Sequence, residues 1–162
     1  MSEEILATVE ASQPRRVLAV GMLLIIGAIL VYVALATPPA LHWLVFLLAV
    51  GVFSLWLAMR LWQATAMRIE LTASELRCSN GELIARTEDV VAVDRGVFAF
   101  KPSNGFLIRT NVPASRSWHP GLWWRLGQRI GIGGVTPGSQ SKSMAEILSI
   151  MIAQRGQGPS RG

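Results

Sequence analysis

Cysteine occurs once, at Cys78, which excludes an internal disulfide and any cysteine-rich metal site and suits a reducing compartment. Histidine is nearly as scarce, with only His42 and His119. Charge is missing most unevenly. No Asp, Glu, Lys or Arg occurs between Val17 and Met59, whereas the chain from Arg60 onward carries 13 Lys or Arg against 7 Asp or Glu. With no ionisable group at depth, one pair of membrane spans has no material for a proton or ion pathway.

The charge-free stretch holds two long apolar runs, Val17 to Ala36 and Leu41 to Met59, separated by Thr37-Pro38-Pro39-Ala40. Each run approaches the roughly 20 residues a helix needs to cross a hydrocarbon core of about 30 Å. So short a connection forces the two helices antiparallel and leaves both chain ends on one side. The expectation is a transmembrane helical hairpin over residues 17–62 behind an N-terminal segment 1–16. A rival reading takes the first run as a cleavable signal, with Arg15 and Arg16 as its basic region and Ala34-Leu35-Ala36 as the cleavage site. That run exceeds the usual apolar length of about 7 to 15 residues, and a second span follows at once. Two helices buried in a soluble core would show a polar stripe, and these runs are apolar all round.

Arg15 and Arg16 precede the first span and Arg60 and Arg68 follow the second, while the turn is uncharged. Basic residues near short loops stay on the cytoplasmic face, so both termini are expected there. Tyr32 and Trp43 near the turn, and Trp56 and Trp62 near the other end, suit the two headgroup levels. Gly21, Gly27 and Gly51 form no Gly-x-x-x-Gly face. Ala19, Ala28, Ala49 and Ala58 are the small residues expected to let the helices approach.

Residues 63–162 number about 100, enough for one small domain. Their pattern is mostly strand-like: Ala64 to Leu71, Glu75 to Ser79, Glu82 to Thr87, Val90 to Asp94, Val97 to Lys101 and Phe106 to Arg109. Asn80-Gly81 between two short alternating runs is a strong hairpin signal. Pro102-Ser103-Asn104-Gly105 supplies another turn. Ser143 with Glu146 matches a capping box, and Met144, Ile147, Leu148, Met151 and Ile152 recur at helical spacing up to Gln154. An amphipathic helix is therefore expected to close one end of an antiparallel sheet domain spanning 63–154. Residues 155–162, rich in Gly, Pro and Arg, read as a disordered tail.

Two spans leading into six or seven strands and a C-terminal helix resemble the bacterial pleckstrin-homology-like membrane proteins. The local features are Arg68-Ile69-Glu70-Leu71-Thr72 leaving the second span, Glu75-Leu76 opening the next strand, and Glu88-Asp89-Val90-Val91-Ala92-Val93. The resemblance covers about Arg15 to Gln154. It implies a two-helix transmembrane hairpin followed by a mainly antiparallel β PH-like domain with a C-terminal capping helix, placed at the inner membrane. It also implies a non-enzymatic platform for lipids or proteins, with no cofactor.

Ser117 to Gly134 departs from that pattern, being longer and richer in Trp and Gly than an ordinary connection. Around it Trp118, Trp123 and Trp124 interleave with Arg116, Arg125 and Arg129. Indole rings and guanidinium groups suit the bilayer interface, and Trp118, Trp123, Trp124, Arg125 and Arg129 are the candidate membrane contacts. The alternative is a loop whose Trp rings plug the core. Facing anionic lipid, each well-placed Lys or Arg adds on the order of 1 kcal/mol of attraction. Single-stranded nucleic acid also attracts rings and cations, but no nucleic-acid motif accompanies them.

Catalytic motifs fail on spacing. Gly131-Ile132-Gly133-Gly134 begins a dinucleotide pattern whose third position falls on Thr136, and it reads better as a close-packed strand or turn. Ser139 and Lys142 fit Ser-x-x-Lys without the companion motifs and read as residues capping a helix. Gly138, Lys142 and Ser143 lack a Gly-Lys-Ser unit. Glu88 and Asp89 would point to opposite faces of a strand and read as solvated turn residues, with Asp94 and Arg95 a surface pair. His42 and His119 fall on opposite sides of the membrane, so they share no metal. The function expected is a membrane-anchored binding or scaffold module contacting anionic lipid headgroups or another membrane protein. An accessory subunit of a membrane enzyme or transporter is the alternative.

Overall fold

A computed structural model describes residues 3–96 and 102–157. The chain opens with a short strand, β1 (Ala7–Glu10), and then enters two 24-residue helices, α1 (Gln13–Ala36) and α2 (Leu41–Ala64). At 1.5 Å per residue each is about 36 Å long. Both are long and apolar enough to cross a membrane. A core helix would be covered by its own chain, yet only 17% and 22% of their most apolar windows are buried. Leu18, Ile25, Val45, Phe46, Val52 and Phe53 all face outward. Each such side chain forgoes about 1.5–3 kcal/mol while in water.

Pro14 starts α1 in the first turn, where its missing N–H has no partner to lose. Pro38-Pro39 ends it, with Thr37 donating from N and Oγ1 to the Val33 carbonyl, both at 3.1 Å. The helices cross most closely at Gly27 and Gly51. A Cβ on Gly27 would lie 3.0 Å from the Gly51 carbonyl oxygen, and one on Gly51 would lie 2.8 Å from Val31 Cγ2. Ala28 and Ala49, expected at the contact, face outward, whereas Ala58 is fully buried. Gly51→Leu is accordingly expected to destabilise the helix pair by about 2 kcal/mol, as overpacking does. Thermal unfolding of the full chain in detergent measures it, and an unchanged midpoint would contradict the close crossing.

The expected strand Ala64 to Leu71 is shorter in the structure: Ala64 still belongs to α2, residues 65–67 turn, and the strand β2 begins only at Arg68 (Arg68–Leu71). Thr65 stops the helix, donating from Oγ1 to the Leu61 carbonyl at 2.6 Å. β3 (Glu75–Cys78) and β4 (Leu83–Arg86) follow, joined by the expected Asn80-Gly81 turn, where Gly81 has φ +92°. Thr87–Asp89 form a 3-10 turn, in keeping with the solvated Glu88 and Asp89. β5 (Val90–Asp94), β6 (Phe106–His119), β7 (Trp123–Ile132) and α3 (Gly138–Gly156) complete the chain. The expected strand Val97 to Lys101 lies outside the described residues.

All strand pairs are antiparallel, in a four-stranded sheet β1-β2-β3-β4 and a three-stranded sheet β5-β6-β7. Period-two alternation turns Ile69, Leu71, Leu76, Ile84, Phe106 and Ile108 into one core, which Met144, Ala145 and Leu148 of α3 cover. Three sequence expectations are corrected here. Segment 1–16 is not separate from the domain, because Ala7–Glu10 pairs with Arg68–Leu71. The helical hairpin is thus inserted between two paired strands, which pins its two ends together. α3 begins at Gly138 behind Pro137, so Ser143 and Glu146 lie inside the helix rather than at its cap, as do Ser139 and Lys142. Arg155, expected in a tail, sits in the last turn of α3 and donates to the Glu88 and Val90 carbonyls at 2.6 and 2.8 Å; residues 158–162 lie outside the described residues.

Candidate functional site

The Trp- and Arg-rich stretch is mostly strand rather than loop, and one of its rings, Trp123, does fill the core. It is the outer half of β6 with the first half of β7, a two-stranded arm extending beyond β5, whose pairing with β6 stops at Thr110. Pro113 is tolerated in β6 because that position lies past the last rung with β5 and needs no N–H there. Across the arm, Ser117 faces Arg125, Trp118 faces Trp124 and His119 faces Trp123. Alternation therefore assigns opposite fates to neighbouring residues.

Ser117, His119, Trp123 and Arg125 turn inward. Trp123 is 1% exposed and Arg125 8% exposed, which corrects their expected place at the membrane surface. Trp123 stacks on His119 with centroids 4.9 Å apart. Arg125 Nε donates to the Ser115 carbonyl at 2.7 Å, and its Nη1 donates to the Leu83 and Ile84 carbonyls, each at 2.9 Å. Nη2 reaches Ser115 Oγ at 3.3 Å. One guanidinium from β7 thus joins β6, the central strand of one sheet, to β4, the edge of the other.

Glu82 adds a second tie. Ser117 Oγ donates to Glu82 Oε1 at 2.8 Å, and His119 Nε2 lies 2.9 Å from Glu82 Oε2. The trio has the residue types of a hydrolase triad but another wiring. The same ring nitrogen faces both Glu82 and, at 3.4 Å, Ser117, whereas a relay needs the base on one nitrogen and its orienting acid on the other. The geometry makes a clamp between β6 and the turn before β4. Among the described residues no group of three His, Cys, Asp or Glu is placed to hold a metal ion.

The outward face carries the remaining candidates. Trp118, 45% exposed, lies 6.4 Å from the Trp56 ring of α2. Trp56 stands in the last turn of the charge-free run, so the arm reaches up the helix flank to the level where that run ends. Arg60, one turn nearer the domain, sits 5.9 Å from the Trp56 ring with its Nε buried and unbonded. Trp124 is half-buried, its indole covering Gly131 so closely that no side chain fits there. The glycine run is thus a close-packed strand, as its spacing suggested. Arg129 is exposed and pairs with exposed Arg109 in the three-stranded part of the sheet, inward of the arm. Like charges directly opposite are unfavourable in isolation, and an anionic surface relieves them. Val112 and Leu126 add exposed apolar area nearby.

Comparison with protein-family models, with curated proteins and with solved structures finds no match for this chain. The functional reading therefore rests on the geometry alone.

Proposed function

We propose that this chain is a membrane-anchored, non-enzymatic binding module with a PH-like domain. α1 and α2 span the plasma membrane, both termini lie in the cytoplasm, and the arm docks the domain on the inner leaflet. The domain then presents its surface to anionic lipid headgroups or to neighbouring membrane proteins. The observation that carries this reading is the position of Trp118 at the outer end of the arm, held against Trp56 at the end of the charge-free run. Sheets of four and three strands with a closing helix support the PH-like assignment.

Brominated phospholipids test it in vesicles containing anionic lipid. In a full-length variant with Trp43, Trp56, Trp62 and Trp124 replaced by Phe, Trp118 is expected to be quenched by shallow bromines while buried Trp123 is not. A Trp118 as silent as Trp123 would remove the docking role.

A further inference from the structure

Two cavities lie on either side of the Arg16–Trp62 contact at the base of the helix pair. One, about 320 Å³, is polar and opens where the helices enter the β domain, with Gln13, Arg16, Arg68 and Ser79 in its wall. The other, about 360 Å³, is an apolar groove between the helices, walled by Val20 and Leu24 of α1 and by Leu55, Met59 and Trp62 of α2. The same stripes line both. Gln13, Arg16, Val20 and Leu24 follow one another at three- and four-residue steps on α1, as do Leu55, Met59 and Trp62 on α2, with Ala66 in the turn just past its end. The polar chamber therefore continues the apolar groove along one face.

Arg16 stands at the junction. It is 9% exposed, donates from Nε to Thr65 Oγ1 and from Nη2 to the Trp62 carbonyl, both at 2.9 Å, and lies 3.8 Å over the Trp62 ring. Those bonds use two of the five donors of a guanidinium. Arg125, equally buried, uses four. No carboxylate is within ion-pair distance of Arg16 among the described residues. The unused N–H groups of Arg16 are not sealed in protein and open to the chamber, where an anion would accept charge-assisted hydrogen bonds from them. Arg68 adds a second positive group, shared with Glu70 at 3.4 Å, against the single carboxylate of Glu10 in the same wall.

We propose that the helix pair holds one phospholipid from the surrounding bilayer, its anionic phosphate in the chamber beside Arg16 and Arg68 and an acyl chain in the groove above. This rests on the membrane-spanning part of the proposed function and is independent of where the arm lies.

Native mass spectrometry of the full chain in non-ionic detergent, titrated separately with phosphatidylglycerol and phosphatidylcholine, tests it. The expected result is one saturable phosphatidylglycerol adduct, weakened about tenfold by Arg16→Gln or Arg68→Gln, the loss of one charge-assisted contact. Leu24→Trp with Met59→Trp, both on the exposed lip of the groove, is expected to abolish the adduct without lowering the lipid-free thermal midpoint. If Arg16→Gln loosens the helix base, Arg68→Gln and the groove variant carry the test. Equal retention of both lipids, or adducts indifferent to these substitutions, would overturn the proposal. So would inorganic phosphate alone raising the thermal midpoint as much as phosphatidylglycerol. A chain that needs detergent yet holds no saturable lipid overturns this inference alone, whereas a chain dispersed in plain buffer overturns the membrane reading itself.

Discussion

Trp123→Ala is expected to destabilise the β domain by about 4 kcal/mol, the scale set by emptying a large aromatic from a packed interior. Trp123 heads the fully buried side chains of this protein and lies against His119 on one side and Arg125, 5.6 Å away, on another. Domains of this size are held by about 5–15 kcal/mol in total, so the variant would sit close to its unfolding threshold. Cys78 supplies the readout. It is buried in the same core, and burial pushes its thiol above the ordinary value, so at neutral pH it stays protonated and inert. Alkylation then reports opening of the domain, and the substitution should accelerate it roughly a thousandfold, the factor equivalent to 4 kcal/mol. Trp123→Phe is expected to lose only about 1 kcal/mol, because the indole Nε1 has no partner while the Cys78 thiol is protonated and its polar neighbour is only that weakly accepting sulfur. An alkylation rate unchanged in Trp123→Ala would place the ring outside the core.

That ring shows where sequence and structure part company. The helical hairpin was legible because hydrophobicity over two long runs is a sum, insensitive to any one residue, and because Pro38-Pro39 can only break a helix. The Asn80-Gly81 turn was legible because its φ requirement is local. β1 was not, since Ala7–Glu10 gains strand character only by pairing with residues 60 positions later. The end of α2 was missed because Trp62, Gln63 and Ala64 carry no periodicity of their own; Thr65 and the contact with Arg16 decide it. In the arm, composition named the interesting residues but not their sides. Trp123 and Trp124 are adjacent and chemically identical, and only the register of His119 with Trp123 and Trp118 with Trp124 separates interior from exterior. Read as a connection, the stretch offered no alternation to count; once it is a strand, the Trp123–Arg125 spacing puts those two on one face.

Arg125→Leu is the substitution that separates a membrane contact from an internal brace. A lipid-facing arginine can be replaced with little change in folding, because its partners lie in solvent or headgroups and exposed ion pairs contribute about 0–1 kcal/mol. Arg125 instead satisfies the carbonyls of Leu83, Ile84 and Ser115 together, across the seam between the two sheets. Leucine fills part of the volume and leaves those acceptors without donors, at about 1–3 kcal/mol for each that stays dry. Relief from desolvating the guanidinium offsets part of this, leaving an expected loss of about 3 kcal/mol. For a domain of about 100 residues that lowers the thermal midpoint by on the order of 15 °C. Arg125→Lys should recover less than half, since a single ammonium cannot fork to two strands at once. The loss should persist at high salt, because the carbonyl partners are shielded from solvent ions. A midpoint unmoved by Arg125→Leu, with vesicle binding weakened instead, would put this side chain on the membrane surface and the seam between the sheets would need another brace.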